Sequence, residues 1–151
     1  MKTLLIVYHT GGVKTARMAE AVERGARAEA GIEVVVKRCA DAGPEDVLAA
    51  DGLILGTPEN FGYMSGMMKD FLERVFYACE GKVNGRPWAL FVGAGQDGSG
   101  AVASVERIVL GLRLKSVHHP IIGLKDLTPE ILASCAELGA AFAAGLALGV
   151  F

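Results

Sequence analysis

The sequence predicts an α/β protein, a three-layer sandwich with a five-stranded parallel sheet in the order 2-1-3-4-5 and helices on both faces. Three observations predict it. Short continuous apolar runs alternate from end to end with stretches of helical periodicity. The alternation occurs five times, which in one chain implies parallel strands joined by helical crossovers. Glycine-rich, small-polar segments follow the first, third and fourth runs, where such a sheet gathers its loops.

Leu4 to Tyr8 is uniformly apolar, as expected of a strand covered on both faces. From Thr15 to about Glu29, Met18, Val22 and Gly25 share one helical face, and Gly31 is expected to close that helix. Ile32 to Val36, rich in β-branched residues, is the second strand. Asp41 to Pro44 is turn material, and Pro44 opens a short helix to Ala50. Leu53 to Leu55 is the third strand. Met67, Met68, Phe71, Leu72, Val75, Phe76 and Cys79 then mark a helix with a broad apolar stripe. Asn84-Gly85 is a turn, Trp88 to Val92 the fourth strand with Trp88 in the core, and Val102 to Leu112 a helix. Leu114 to Ile122 contains the fifth strand, and Ile131, Cys135, Leu138, Phe142 and Leu146 mark the last helix.

No repeat, linker or low-complexity segment interrupts this order, so residues 1–151 are expected to form a single domain. The hydrophobic fraction of 52% and mean hydropathy of +0.38 suit a well-filled core. A formal charge of −2 without basic clusters argues against nucleic acid. The N-terminal apolar run is short and lacks a small-residue cleavage site, and the alanine-rich C-terminus carries Glu130 and Glu137, so no membrane partner is expected. Cys39, Cys79 and Cys135 are odd in number and far apart, which fits free buried thiols in a reducing, cytoplasmic setting and no metal site.

The three glycine-rich segments carry the candidate chemistry. Thr10-Gly11-Gly12-Val13-Lys14-Thr15 leads into the first helix, where backbone N–H groups and the helix dipole can hold an anion, two threonines can donate and Lys14 adds full charge. A plain turn with Thr15 as helix cap is the alternative. Thr57-Pro58-Glu59-Asn60-Phe61-Gly62 precedes the third helix; it could flank a planar ligand through its backbone and Phe61, or simply pack over the sheet edge ahead of a Ser65 cap. Glu59 and Asn60 are either ligands to that ring's edge or loop surface. Gly93-Ala94-Gly95-Gln96-Asp97-Gly98 spells G-x-G-x-x-G, but on the fourth turn instead of the first, which rejects a dinucleotide fingerprint.

The segment Gly56-Thr57-Pro58-Glu59-Asn60-Phe61-Gly62-Tyr63-Met64-Ser65-Gly66-Met67-Met68-Lys69-Asp70-Phe71-Leu72 closely resembles the GTPxxFGxMSGxMKxFL pattern of the flavodoxin-like NAD(P)H:quinone oxidoreductases, the tryptophan-repressor-binding-protein group. Leu4 to Tyr8, Ala19-Glu20-Ala21, Asp51-Gly52 and Glu137-Leu138-Gly139 fit it as well. The resemblance implies a flavodoxin-like fold, non-covalent FMN, NADH or NADPH as reductant, a quinone-type acceptor, and a homodimer or homotetramer. It implies the FMN phosphate on Thr10 to Thr15 and the ring between Pro58 to Gly62 and Gly93 to Gly98. Relative to that family, Val13 stands where glycine is usual and Lys14 where asparagine is usual. The chain also lacks an insertion after the fourth strand that typical members carry.

A flavin supplies its own redox chemistry, which agrees with the lack of a nucleophile or acid–base set among these residues. The 93–100 segment has no aromatic residue to cover a ring, which favours an enzyme with an open ring face over an electron carrier. A carrier, or a binding module that has lost FMN, are the alternatives. His118 and His119 are expected as plain strand or loop histidines, with proton donation to a quinone as the alternative.

Overall fold

A computed structural model describes residues 1–151. The strands are β1 (Lys2–Tyr8), β2 (Ile32–Arg38), β3 (Gly52–Asn60), β4 (Tyr63–Met64), β5 (Pro87–Ala94), β6 (Lys115–Ser116) and β7 (Ile121–Leu124). The helices are α1 (Lys14–Arg27), α2 (Pro44–Ala49), α3 (Gly66–Cys79), α4 (Ser99–Gly111) and α5 (Pro129–Leu148), with a 3-10 turn over Cys39–Asp41. The parallel sheet runs β2-β1-β3-β5, with β6 and β7 sharing the outer place beside β5. That is the expected order, with the fifth strand in two pieces.

The break has a visible cause. Ser116 pairs with Trp88 near the start of β5, and Ile121 resumes pairing at Phe91. Val117 to Pro120 lie between, and proline offers no N–H to a ladder. His118 and His119 stack there with ring centroids 4.3 Å apart, and His118 Nδ1 lies 2.8 Å from the His119 carbonyl. They flank the middle of the sheet edge, below the strand ends where the loops gather.

Two apolar layers cover the sheet. Leu5, Val7, Leu55, Leu90 and Val92 face α2, α3 and α4, packing on Met68, Phe71, Leu72, Val75 and Val105. Leu4, Ile6, Ile54 and Phe91 face α1 and α5, packing on Met18, Val22, Leu138 and Phe142. By length and composition α5 could cross a membrane; here Cys135, Leu138, Phe142, Ala143 and Leu146 are buried in that second layer. Trp88 is buried, as expected, and so are the free thiols of Cys39, Cys79 and Cys135. Burial pushes the Cys39 thiol up to about 12 and the Cys135 thiol to about 11, so both stay protonated.

Two local expectations are corrected. The first helix stops at Arg27, where the Ala28 N–H reaches the Ala26 and Gly25 carbonyls, so Gly31 merely leads into β2. The third strand does not end at Leu55. It continues to Asn60 and turns back through Phe61-Gly62 into β4, with Asn60 opposite Tyr63 and Glu59 opposite Met64.

Candidate functional site

The carboxyl ends of β1, β3 and β5 bring the three glycine-rich segments together, because β3 lies between β1 and β5. At the first, the Thr10 hydroxyl donates to the Gly12 carbonyl at 2.7 Å. None of the backbone N–H groups from Thr10 to Ala16 has an acceptor in the chain; that of Arg17, on the Val13 carbonyl at 2.9 Å, is the first that does. Val13 precedes α1 with no side-chain cap, and the first turn holds no acidic residue. Thr15 is buried within that turn, so it is not the cap.

The other helices are capped from within the chain. In α2 the Asp46 carboxylate accepts the Gly43 N–H at 2.9 Å. Ser65 accepts from Met68 in α3, as the sequence suggested, and Thr128 from Ile131 in α5. For α4 two carboxylates serve. Glu59 accepts the Gly98 and Ala101 N–H groups, each at 3.0 Å, and Asp97 accepts the Ser99 N–H at 3.0 Å and its hydroxyl at 2.7 Å. Those bonds to Ser99 hold the Asp97 carboxyl below its ordinary value. The G-x-G-x-x-G segment therefore leads to a helix end already filled, a physical reason why it offers no pyrophosphate site.

Glu59 thus fastens β3 to α4, each of its carboxylate oxygens accepting one of these N–H groups. Thr57 is likewise structural in its side chain. It is fully buried, its Oγ1 accepts the Ser65 N–H at 3.0 Å, and it lies 3.2 Å from the Ser65 hydroxyl. The Met64 N–H donates to Ser104 Oγ at 3.0 Å, tying β4 to α4. Gly100 completes this seam: a Cβ there would stand 2.0 Å from the Gly62 carbonyl oxygen.

At the hairpin tip, Phe61 and Gly62 have φ of 56° and 69°. A two-residue hairpin of this hand needs positive φ at both central positions, which suits glycine and penalises phenylalanine by about 1–2 kcal/mol. Phe61 is also 105% exposed, so its ring forgoes the roughly 2 kcal/mol that burial would bring. Phe61 is thus a strained and exposed aromatic at the tip of the hairpin. Pro58 and Asn60 lie in the same β3 extension, Pro58 half-buried and Asn60 exposed. Across from it, Gly95, Gln96 and Asp97 are exposed, and their backbone N–H groups have no acceptor in the chain, while Gly93, Ala94 and Gly98 are buried.

Lys14 reaches away from the α1 amides. Its Nζ donates to the Ala94 carbonyl at 2.7 Å, an oxygen that also takes the Lys125 N–H at 2.8 Å. Burial lowers the Lys14 ammonium pKa, and the charge of Asp126 opposes that. The cation beside the first loop is instead Arg38, unremarked in the sequence. Tyr8 pairs in register with Arg38 across β1 and β2. The guanidinium donates to the Thr10 carbonyl at 3.3 Å and lies 5.3 Å from the Tyr8 ring centroid. Burial, and after it Arg38, hold the His9 imidazole below its ordinary value, so the loop borders a neutral histidine.

These features define a flavodoxin-like α/β protein, and solved structures share the fold. The structure of a flavodoxin from the domain Archaea superposes with a TM-score of 0.84 at 20% identity, over 95% of this chain and 98% of that one. The flavodoxin, WrbA-like protein from Agrobacterium tumefaciens gives 0.76 at 24% identity, over 99% of each chain. Residues 42–124 match the family described as NADPH-dependent FMN reductase, and the chain belongs to that family. A flavodoxin from Aquifex aeolicus (strain VF5) is 40% identical over 100 residues, 66% of this chain and 54% of that one. An NAD(P)H dehydrogenase (quinone) from Acidithiobacillus ferrooxidans (strain ATCC 53993 / BNL-5-31) is 34% identical over 113 residues, 61% of this chain and 56% of the relative. The chain spans about half the length of these curated relatives. The resemblance read from residues 56–72 is thus borne out at the level of the family.

Proposed function

We propose that residues 1–151 act as a single flavodoxin-like domain that holds FMN non-covalently and uses NADH or NADPH to reduce quinones or similar acceptors by two electrons. The observation that carries this reading is the α1 N-terminus: consecutive free amides, no cap, no acid in the first turn and Arg38 alongside, the chemistry a phosphate monoester needs. Thr10, Gly11, Gly12, Val13 and Thr15 would bind the phosphate through these amides. Pro58, Asn60, Phe61 and Gly62 on one side, and Gly95, Gln96 and Asp97 on the other, would frame the ring. Glu59, Thr57, Gly93, Ala94 and Gly98 shape that frame. Family membership supports FMN and a nicotinamide reductant.

Once bound, FMN supplies the redox chemistry; the chain binds it, orients it and leaves one ring face open, since no aromatic residue occurs in 93–100. That open face supports an enzyme that takes nicotinamide and acceptor in turn over an electron carrier. The test is titration of apoprotein with FMN followed by anaerobic stopped-flow. Saturable binding with bleaching of the flavin by NADH or NADPH is the expected result. Binding without bleaching would mean a carrier, and no binding a module that has lost FMN.

The reading includes a cytoplasmic home, which the three free thiols support, and a homodimer or homotetramer. A groove of about 560 Å³ between α3 and α4, lined by Tyr63, Leu72, Phe76, Tyr77 and Ile108, supports self-association. Tyr77 of that lining is exposed, and so is Leu110 on α4. Light scattering on eluting protein would give the mass.

A further inference from the structure

The cation that the sequence places at the first loop, Lys14, and the cation that stands beside that loop, Arg38, are different residues. Arg38 lies beside the phosphate loop, on the Thr10 carbonyl. Lys14 belongs to that loop by sequence, yet its stem passes over Gly93, where an added Cβ would stand 3.6–3.7 Å from Lys14 Cδ and Cγ. Its Nζ ends on the Ala94 carbonyl, next to the free amides of Gly95 to Asp97. No carboxylate pairs with it: the chain's ion pairs are Arg27–Glu23, Lys37–Asp46, Lys69–Glu73 and Arg74–Asp70. Asp126 acts on it only through its charge, without a salt bridge, and the loop carboxylates Glu59 and Asp97 are held on α4.

We propose that Lys14 is a positioning residue for the reduced flavin ring, whose added negative charge it stabilises, and that Arg38 takes over the role of phosphate counter-charge. The proposal rests on the FMN reading above. A bound flavin that took up two electrons and one proton would carry one net negative charge, and an ammonium held on the Ala94 carbonyl would lower the cost of that charge. An equal hold on both oxidation states would do nothing to the potential. Only a difference between them does.

The test compares wild-type holoprotein with Lys14→Gln, Lys14→Arg and Arg38→Met. FMN affinity is measured in the oxidised and dithionite-reduced states, and the two-electron midpoint against a reference dye. Glutamine keeps a donor for the Ala94 carbonyl and removes only the charge. We expect K14Q to weaken reduced FMN about tenfold more than oxidised FMN, equivalent to a midpoint lower by about 30 mV. K14R should restore the wild-type midpoint, and R38M should weaken both states alike with the midpoint unmoved. A K14Q protein with the wild-type midpoint, or with equal losses in both states, overturns the proposal while leaving the FMN reading intact. Wild-type protein that binds no FMN overturns both.

Discussion

The N-termini of α1 and α4 are built from similar glycine-rich material at neighbouring strand ends, and they have opposite fates. At α4 every N–H that a cap usually satisfies, bar that of Gly100, meets a carboxylate of the chain, Glu59 or Asp97. At α1 the corresponding groups are all free. Their glycines differ as well. Gly100 is required by contact, since a Cβ would strike the Gly62 carbonyl, whereas nothing lies within 4 Å of a Cβ on Gly11 or Gly12. Neither Gly11 nor Gly12 has positive φ. Glycine in one loop permits the protein to pack on itself; in the other it leaves room. A glycine-rich helix entrance can offer its amides to a ligand only when the chain has not filled it.

The sharpest way to break this contrast is to add one methyl group to each loop. Gly100→Ala is expected to cost about 3 kcal/mol in urea unfolding, because hairpin and helix must part. Gly11→Ala and Gly12→Ala should stay within about 0.5 kcal/mol of wild type. Equal losses in the two loops would erase the distinction. Next in size, Glu59→Ala should cost about 2 kcal/mol by stranding the Gly98 and Ala101 N–H groups, and their amide exchange should accelerate selectively. A smaller effect, on binding alone, is expected from Gly12→Asp. It should weaken FMN about tenfold in titration, by placing a carboxylate where the phosphate would sit, with the unfolding midpoint preserved.

The smallest effect is pH-dependent. The folded Asp97 carboxyl is held below its ordinary value by Ser99. Its contribution is thus fully present above the unfolded value of about 3.9 and disappears as pH falls through the lower folded value. Asp97→Ala should therefore differ from wild type in thermal midpoint at neutral pH and converge with it in acid. The first turn of α1 contains no acid, so Gly12→Ala should follow wild type across the same range.

Most of the architecture was legible because it rests on periodicity. Runs such as Leu4 to Tyr8 and the stripe from Met67 to Cys79 carry their burial in the sequence, and Ser65 lies beside the amide it caps. The hairpin at residues 59–64 was not legible, because phenylalanine occupies a turn position that glycine or asparagine normally marks. Glu59 escaped for another reason: its partners lie 39 and 42 positions away, and no local pattern encodes them. Arg38 reads as a charge ending a strand, and only the β1–β2 register sets it beside Thr10. Lys14 was read as a charge for its own loop, but the side chain's direction is decided by the neighbouring strand, whose Ala94 carbonyl it reaches.

The divided fifth strand has a consequence for how these molecules meet one another. A sheet ending in an unbroken strand offers a row of unmatched N–H and C=O groups on which a second chain can continue the ladder, the first step towards a fibre. Here the outer row is cut at Val117 to Pro120, leaving Lys115–Ser116 and Ile121–Leu124 as two short stubs. The opposite border, β2, carries Glu33, Lys37 and Arg38. Both borders of the sheet are thereby blunted against growth, one by interruption and the other by charge.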